Sequence, residues 1–106
     1  KNSHKYLILG DMLELGRHSI KQHKLISKVI NKTNVNKVYV IGKYIKETFK
    51  NLNRNKQAKI LTNKKAVIDE INNKLSNNDY LMIKGSNSTG LHYITTKLKQ
   101  RVSNAI

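Results

Sequence analysis

Short apolar runs alternate with longer amphipathic stretches along this chain. Tyr6–Leu9, Lys37–Ile41, Lys59–Thr62 and Tyr80–Ile83 are each too short for a helix and rich in β-branched or aromatic residues, which predicts strands. Between and after them, Ser19–Asn31, Lys43–Asn51, Lys64–Leu75 and Leu91–Val102 repeat apolar residues with helical spacing. The expected inward residues are Leu25, Ile26, Val29 and Ile30 in the first helix and Ile45 and Phe49 in the second. Val67, Ile68, Ile71 and Leu75 serve the third, and Leu91, Ile94, Leu98 and Val102 the fourth. Ser19 suits an N-cap, as does Thr62 or Asn63 before the third helix. Asn34-Val35-Asn36, Asn53–Gln57 and Ser76–Asp79 read as polar turns and loops, and the fourth strand is apolar enough to be buried.

Strand followed by helix, four times over, predicts a parallel sheet with flanking helices joined by right-handed crossovers. The fold class is therefore α/β, a small Rossmann-like domain with about four strands. In such a sheet the loops after the strands share the carboxyl edge, where ligands bind. Two loops there carry chemistry: Gly10–Gly16 after the first strand and Lys84–Gly90 after the fourth.

Asp11 follows directly on the first strand. A carboxylate at that point can accept hydrogen bonds from a ligand hydroxyl or hold a cation, but Asp is equally at home capping a turn. The second loop, Lys84-Gly85-Ser86-Asn87-Ser88-Thr89-Gly90, runs from a strand toward a helix start, where backbone N–H groups and the helix dipole favour an anion. Lys84 adds a charge, and three hydroxyls follow. The bland alternative is an ordinary capped loop. Neither Gly-x-x-x-x-Gly-Lys-Ser/Thr nor Gly-x-Gly-x-x-Gly occurs, so neither a P-loop nor a dinucleotide fingerprint is supported. His18 and His23 lack metal-ligand spacing and acidic partners, which argues against a zinc site. His23, one turn into the first helix, reads by itself as a semi-exposed helix histidine; the alternative is that it reaches back to hold the Asp11 loop by a hydrogen bond. No Ser-His-Asp order or paired carboxylates suggest hydrolysis.

Composition narrows the picture further. At 106 residues the chain makes one domain with one modest core. It has no Cys, which excludes disulfides and thiolate metal sites, and no apolar run near the ~20 residues of a membrane span. The net charge of +15 raises a nucleic-acid reading. The basic residues, however, are spread along the chain and mostly Lys, without interleaved aromatics. A dedicated nucleic-acid site is therefore disfavoured, although such a surface steers anions in general.

Gly10-Asp11-Met12-Leu13-Glu14-Leu15-Gly16, followed by Ser19 and His23, resembles the opening of the C-terminal domain of the Mur ligases. Lys84-Gly85-Ser86 stands where that family places its Lys-Gly-Ser. The likeness is strongest to the members that join D-alanyl-D-alanine to a UDP-linked muramoyl tripeptide, and it spans most of this chain but about a quarter of such an enzyme. The resemblance implies a cytoplasmic, ATP-dependent amide-forming ligase of peptidoglycan precursor synthesis. ATP and Mg2+ are then held mainly by a central domain, and the UDP sugar peptide by an N-terminal one. This domain closes over ATP and the incoming dipeptide, carries no catalytic residue or metal ligand of its own, and is inactive alone. Its partners are those two domains, ATP, D-alanyl-D-alanine and the UDP-linked tripeptide; no membrane is implied. Residue by residue, the resemblance makes Asp11, Glu14 and His23 nucleotide-proximal, and Lys84, Ser86 and Asn87 dipeptide-binding. Asn87 and Leu91 stand where the family often has Arg or His and, later, Met. The family's preceding Tyr-Asn-Ala-Asn-Pro stretch has no counterpart, which implies a domain slightly shortened at its start. The competing readings are a stand-alone basic α/β module binding nucleic acid or a small anionic ligand, and a flavodoxin-like signalling domain.

Overall fold

The computed structural model describes residues 4–11, 19–76 and 78–85. Four strands, β1 (Lys5–Gly10), β2 (Lys37–Ile41), β3 (Gln57–Leu61) and β4 (Tyr80–Lys84), form an all-parallel sheet in the order β3-β2-β1-β4. Helices α1 (Ser19–Asn31), α2 (Ile45–Lys50) and α3 (Lys64–Lys74) connect them. The expected α/β class and strand–helix alternation are thus observed. The anticipated fourth helix, Leu91–Val102, and the capping side chain of Ser19 lie outside the described residues.

The strand order dictates where the helices go. The chain steps from β1 to β2 to β3 in one direction, so right-handed crossovers put α1 and α2 on one face. It then returns past β2 and β1 to β4, which puts α3 on the other. Two half-cores result. Leu7, Leu9, Val38 and Val40 pack with Ile30, Ile45 and Leu52 on the α1–α2 face. Ile8, Tyr39 and Leu61 pack with Val67 and Ile71 on the α3 face. The central strands β1 and β2 are covered on both sides, as their near-continuous apolar runs require.

Helix α1 departs from the expected orientation. Leu25 and Val29 are exposed, while His23, Ser27 and Ile30 are buried. The buried stripe is rotated by roughly a quarter turn from the apolar one. The cause is the neighbouring helix: small Ser27 and the Thr48 hydroxyl, which donates to the His23 carbonyl, lie at the α1–α2 contact. Ser27 satisfies its own hydroxyl on the Lys24 carbonyl at 2.5 Å, so its burial leaves no lone donor.

Strand β4 is the second correction. It was expected to be buried, but Tyr80 and Met82 are exposed, and only Leu81 and Ile83 pack, on the α3 face. Among the described residues it is an edge strand, paired with β1 alone. Smaller shifts concern boundaries. Helix α2 is shorter than anticipated and begins at Ile45, part of the polar loop tightens into a 3-10 turn at Arg54–Lys56, and β3 starts at Gln57. The cap of α3 is Asn63, whose side chain accepts from the Ala66 N–H at 2.8 Å.

The amino ends of β1 and β4 are tied by Asp79. Its carboxylate accepts from the Ser76 N–H at 2.9 Å and from the His4 N–H at 3.0 Å. These bonds, the Ser76 one foremost, hold its pKa below the ordinary 3.8. A depressed folded pKa adds stability above the unfolded value and loses it as pH falls through the folded one. The melting temperature should therefore drop as pH falls below about 4, and Asp79→Asn should flatten part of that drop. Thermal melts from pH 7 to 2 test this; an unchanged acid profile in Asp79→Asn would contradict it.

Candidate functional site

Strand β1 has β2 on one side and β4 on the other, and the chain leaves β1 and reaches β4 in opposite senses. The β1–β4 boundary is thus the switch point of the sheet, and the crevice outside its carboxyl ends is where open α/β sheets bind ligands. Both loops singled out by the sequence begin there. Leu9 is level with Lys84 in the β1–β4 register, and Gly10 with Ile41 in the β1–β2 register.

The face is shared as well as the edge. Leu7 and Leu9 point toward α1 and α2, and Asp11 continues that alternation into contact with the start of α2. On β4, Leu81 and Ile83 turn to the α3 side, which leaves exposed Lys84 on the α1–α2 side with Asp11. An acid and a base far apart in sequence therefore stand at the carboxyl ends of adjacent strands, on one face.

Asp11 is buried, and its carboxylate oxygens are already engaged. One accepts from the Ile45 N–H at 2.8 Å, the other from the Lys43 N–H at 3.0 Å. Asp11 thus caps a turn, but the turn of the neighbouring crossover rather than its own. Gly42 makes this possible. Its φ of 139° suits glycine, and a Cβ there would stand 2.6 Å from an Asp11 carboxylate oxygen.

His23 is fully buried between α1 and α2, with its ring 6.3 Å from that of Tyr44. The Lys43 ammonium lies 5.4 Å from the Tyr44 ring on the β2–α2 loop, within cation–π range. A row Lys43–Tyr44–His23 therefore runs from the carboxyl edge into the helix layer. Glu14, Ser86 and Asn87 lie outside the described residues. Sequence reading passed over Lys43 and Tyr44. The available signal was Gly42, which ends β2 as Gly10 ends β1.

Elsewhere the chemistry is sparser. Among the described residues no group of His, Cys, Asp and Glu could hold a metal ion, and no helix is long and apolar enough to cross a membrane. A polar cleft of about 390 Å³ lies on the α3 face, lined by Tyr6, Lys37, Tyr39, Lys59, Glu70 and Lys74 among others. Burial, helped by the Glu70 carboxylate, pushes the Tyr39 hydroxyl up to about 12. Tyr6 and Lys37 sit at the amino ends of their strands, so this cleft is remote from the switch crevice.

No protein-family model matches the chain. Two curated proteins do, both UDP-N-acetylmuramoyl-tripeptide–D-alanyl-D-alanine ligases of Buchnera aphidicola. The chain is 32% identical over 99 residues to that of subspecies Baizongia pistaciae, and 31% identical over 97 residues to that of subspecies Acyrthosiphon pisum. The matches cover 92% and 90% of this chain but 21% of each relative, so the chain spans about a fifth of their length. Among solved structures, MurF ligase of Thermotoga maritima in complex with ADP superposes with a TM-score of 0.75 at 14% identity, covering 98% of this chain and 23% of that one. MurF of Acinetobacter baumannii does so with a TM-score of 0.75 at 16% identity, covering 94% and 22%. By sequence this chain is therefore similar to about a fifth of the D-alanyl-D-alanine-adding Mur ligases, and by fold it is similar to a matching part of MurF.

Proposed function

We propose that this chain works as the C-terminal domain of a cytoplasmic ATP-dependent ligase that adds D-alanyl-D-alanine to UDP-N-acetylmuramoyl-tripeptide. The observation that carries this reading is the 32% identity to such a ligase over 92% of this chain, and the placing of Asp11 and Lys84 at the carboxyl ends of the adjacent strands β1 and β4 suits it. In the reaction of that family the acceptor carboxylate takes a phosphoryl group from ATP, and the dipeptide amine then displaces phosphate from the acyl phosphate. By the resemblance to that family, ATP and Mg2+ are held mainly by a central domain and the UDP-linked tripeptide by an N-terminal one, and this chain carries no Gly-x-x-x-x-Gly-Lys-Ser/Thr. The ADP bound by the Thermotoga relative supports a nucleotide in such enzymes.

Within this domain the Lys84 ammonium is the natural partner for the dipeptide carboxylate, with Ser86 and Asn87 beside it in sequence. Asp11, Glu14 and His23 form the nucleotide side. The burial of His23 against Tyr44 suits it to supporting a loop rather than touching a ligand.

A chimera tests the assignment. This chain should replace the matching fifth of the Baizongia-strain Buchnera ligase and sustain ATP-dependent incorporation of D-alanyl-D-alanine, while the purified chain alone should neither hydrolyse ATP nor ligate. In the chimera, Lys84→Ala removes one charged hydrogen bond worth ~1.5–3 kcal/mol, and kcat/KM for the dipeptide should fall about ten- to a hundredfold. An inactive but folded chimera would sink the ligase reading. Full activity in folded Lys84→Ala would remove Lys84 from the site.

A further inference from the structure

The β2–α2 loop carries no motif, yet the structure anchors it to the most distinctive residue of the chain. Both carboxylate oxygens of Asp11 are spent on its backbone, at Lys43 and Ile45. The residue before them, Gly42, has a φ of 139° and no room for a Cβ, because the Asp11 carboxylate occupies that space at 2.6 Å. Asp11 and Gly42 are therefore halves of one fitting: the carboxylate needs the missing side chain, and the loop needs the carboxylate. The fitting fixes the backbone of Lys43 and Tyr44, whose ammonium and ring stand together 5.4 Å apart at the carboxyl edge.

We propose that Asp11 is a positioning residue, which acts on the site by pinning the β2–α2 loop as its third wall rather than by contacting a ligand. Lys43 and Tyr44 then join the site beside the carboxyl ends of β1 and β4, and Gly42 is as necessary to it as Asp11. The strand order supports this, because the carboxyl ends of β4, β1 and β2 lie in that sequence along one edge. A pinned loop holds its side chains in a set place, and a misplacement of about 1 Å can cost on the order of a hundredfold in rate. The functional half of the proposal rests on the ligase reading; the pinning itself does not.

Two measurements test it. In the 106-residue chain, NMR should show scalar couplings across hydrogen bonds from the Lys43 and Ile45 amide nitrogens to the Asp11 side-chain carboxyl carbon. In the ligase chimera, whose activity with the unaltered chain first establishes the ligase reading, Asp11→Ala and Gly42→Ala are compared singly and together. Pinning predicts that both single variants lower kcat/KM for the same substrate, by on the order of a hundredfold, and that the double variant is little worse than either. Asp11→Asn, which keeps one acceptor oxygen, should retain more activity than Asp11→Ala. A direct ligand contact predicts instead that Gly42→Ala affects a different substrate or none, that the two effects multiply, and that Asp11→Asn is as poor as Asp11→Ala. Absent couplings in the folded chain, or multiplying effects in an active chimera, would overturn the proposal. If the alanine variants fail to fold, the couplings and the Asp11→Asn kinetics decide it.

Discussion

Val40→Asp should abolish folding of the domain. Val40 is completely buried in β2, a central strand with β1 on one side and β3 on the other. Its side chain packs in the cluster of Leu7, Leu9, Val38, Ile30 and Ile45, which offers a carboxylate no cation. The effective cost of burying an unpaired ion is several kcal/mol, and the loss of apolar packing adds to it. A domain of this length has about 5–15 kcal/mol of stability in all, so the penalty takes most or all of it. Val40→Ala is the control, removing apolar bulk without charge at a cost of about 1.5–3 kcal/mol, and should stay folded. Circular dichroism and amide dispersion distinguish the cases. A Val40→Asp chain that melts like the unaltered one would show that β2 is not the centre of the sheet.

Lys56→Met should lower the melting temperature by roughly 8–32 °C. Twenty-one basic residues make a lysine the least informative residue in this sequence, but Lys56 is the one buried among those described. Its ammonium donates to the Thr33 carbonyl at 2.9 Å and to the Val35 carbonyl at 2.6 Å. It thus joins the 3-10 turn before β3 to the connection between α1 and β2, over 21 to 23 residues of chain. Methionine keeps the length of the apolar stem and removes the donor, so packing is nearly preserved and two carbonyls lose their partner. Each part-buried carbonyl left unsatisfied costs about 1–2 kcal/mol, the lower part of the range for buried groups, and about 2–4 kcal/mol for the two gives the stated shift at ~4–8 °C per kcal/mol. Lys46→Met, on the exposed side of α2, should change stability by no more than about 0.5 kcal/mol. Equal melting temperatures for the two variants would mean that the Lys56 ammonium contributes nothing net.

These two residues mark different degrees of legibility. The place of Val40 was readable, because Lys-Val-Tyr-Val-Ile ended by glycine reads as a buried strand in any fold. The place of Lys56 was not, since its partners lie on another connection. The same holds within the site. Asp11 and Lys84 were visible as chemistry at strand ends, and their common edge followed from strand–helix alternation. The partners of Asp11 were hidden, since Lys43 and Ile45 lie 32 and 34 residues downstream.

What this sequence determined by itself is what local physics decides. Apolar period and length chose strand or helix, glycine and asparagine placed the turns, and alternation required a parallel sheet whose loops share one edge. Only the tertiary structure decided which way α1 turns, because that depends on the helix it meets: Ser27 and His23 go inside to let α2 approach, and Leu25 and Val29 stay out. It alone set the order β3-β2-β1-β4, which leaves β4, among the described residues, at an edge with Tyr80 and Met82 exposed and brings the strand ends that carry Asp11 and Lys84 side by side. And it alone matched the Asp11 carboxylate to the space that Gly42 leaves. A hydrogen bond between distant segments is a property of how layers pack, and no window of sequence contains both its ends.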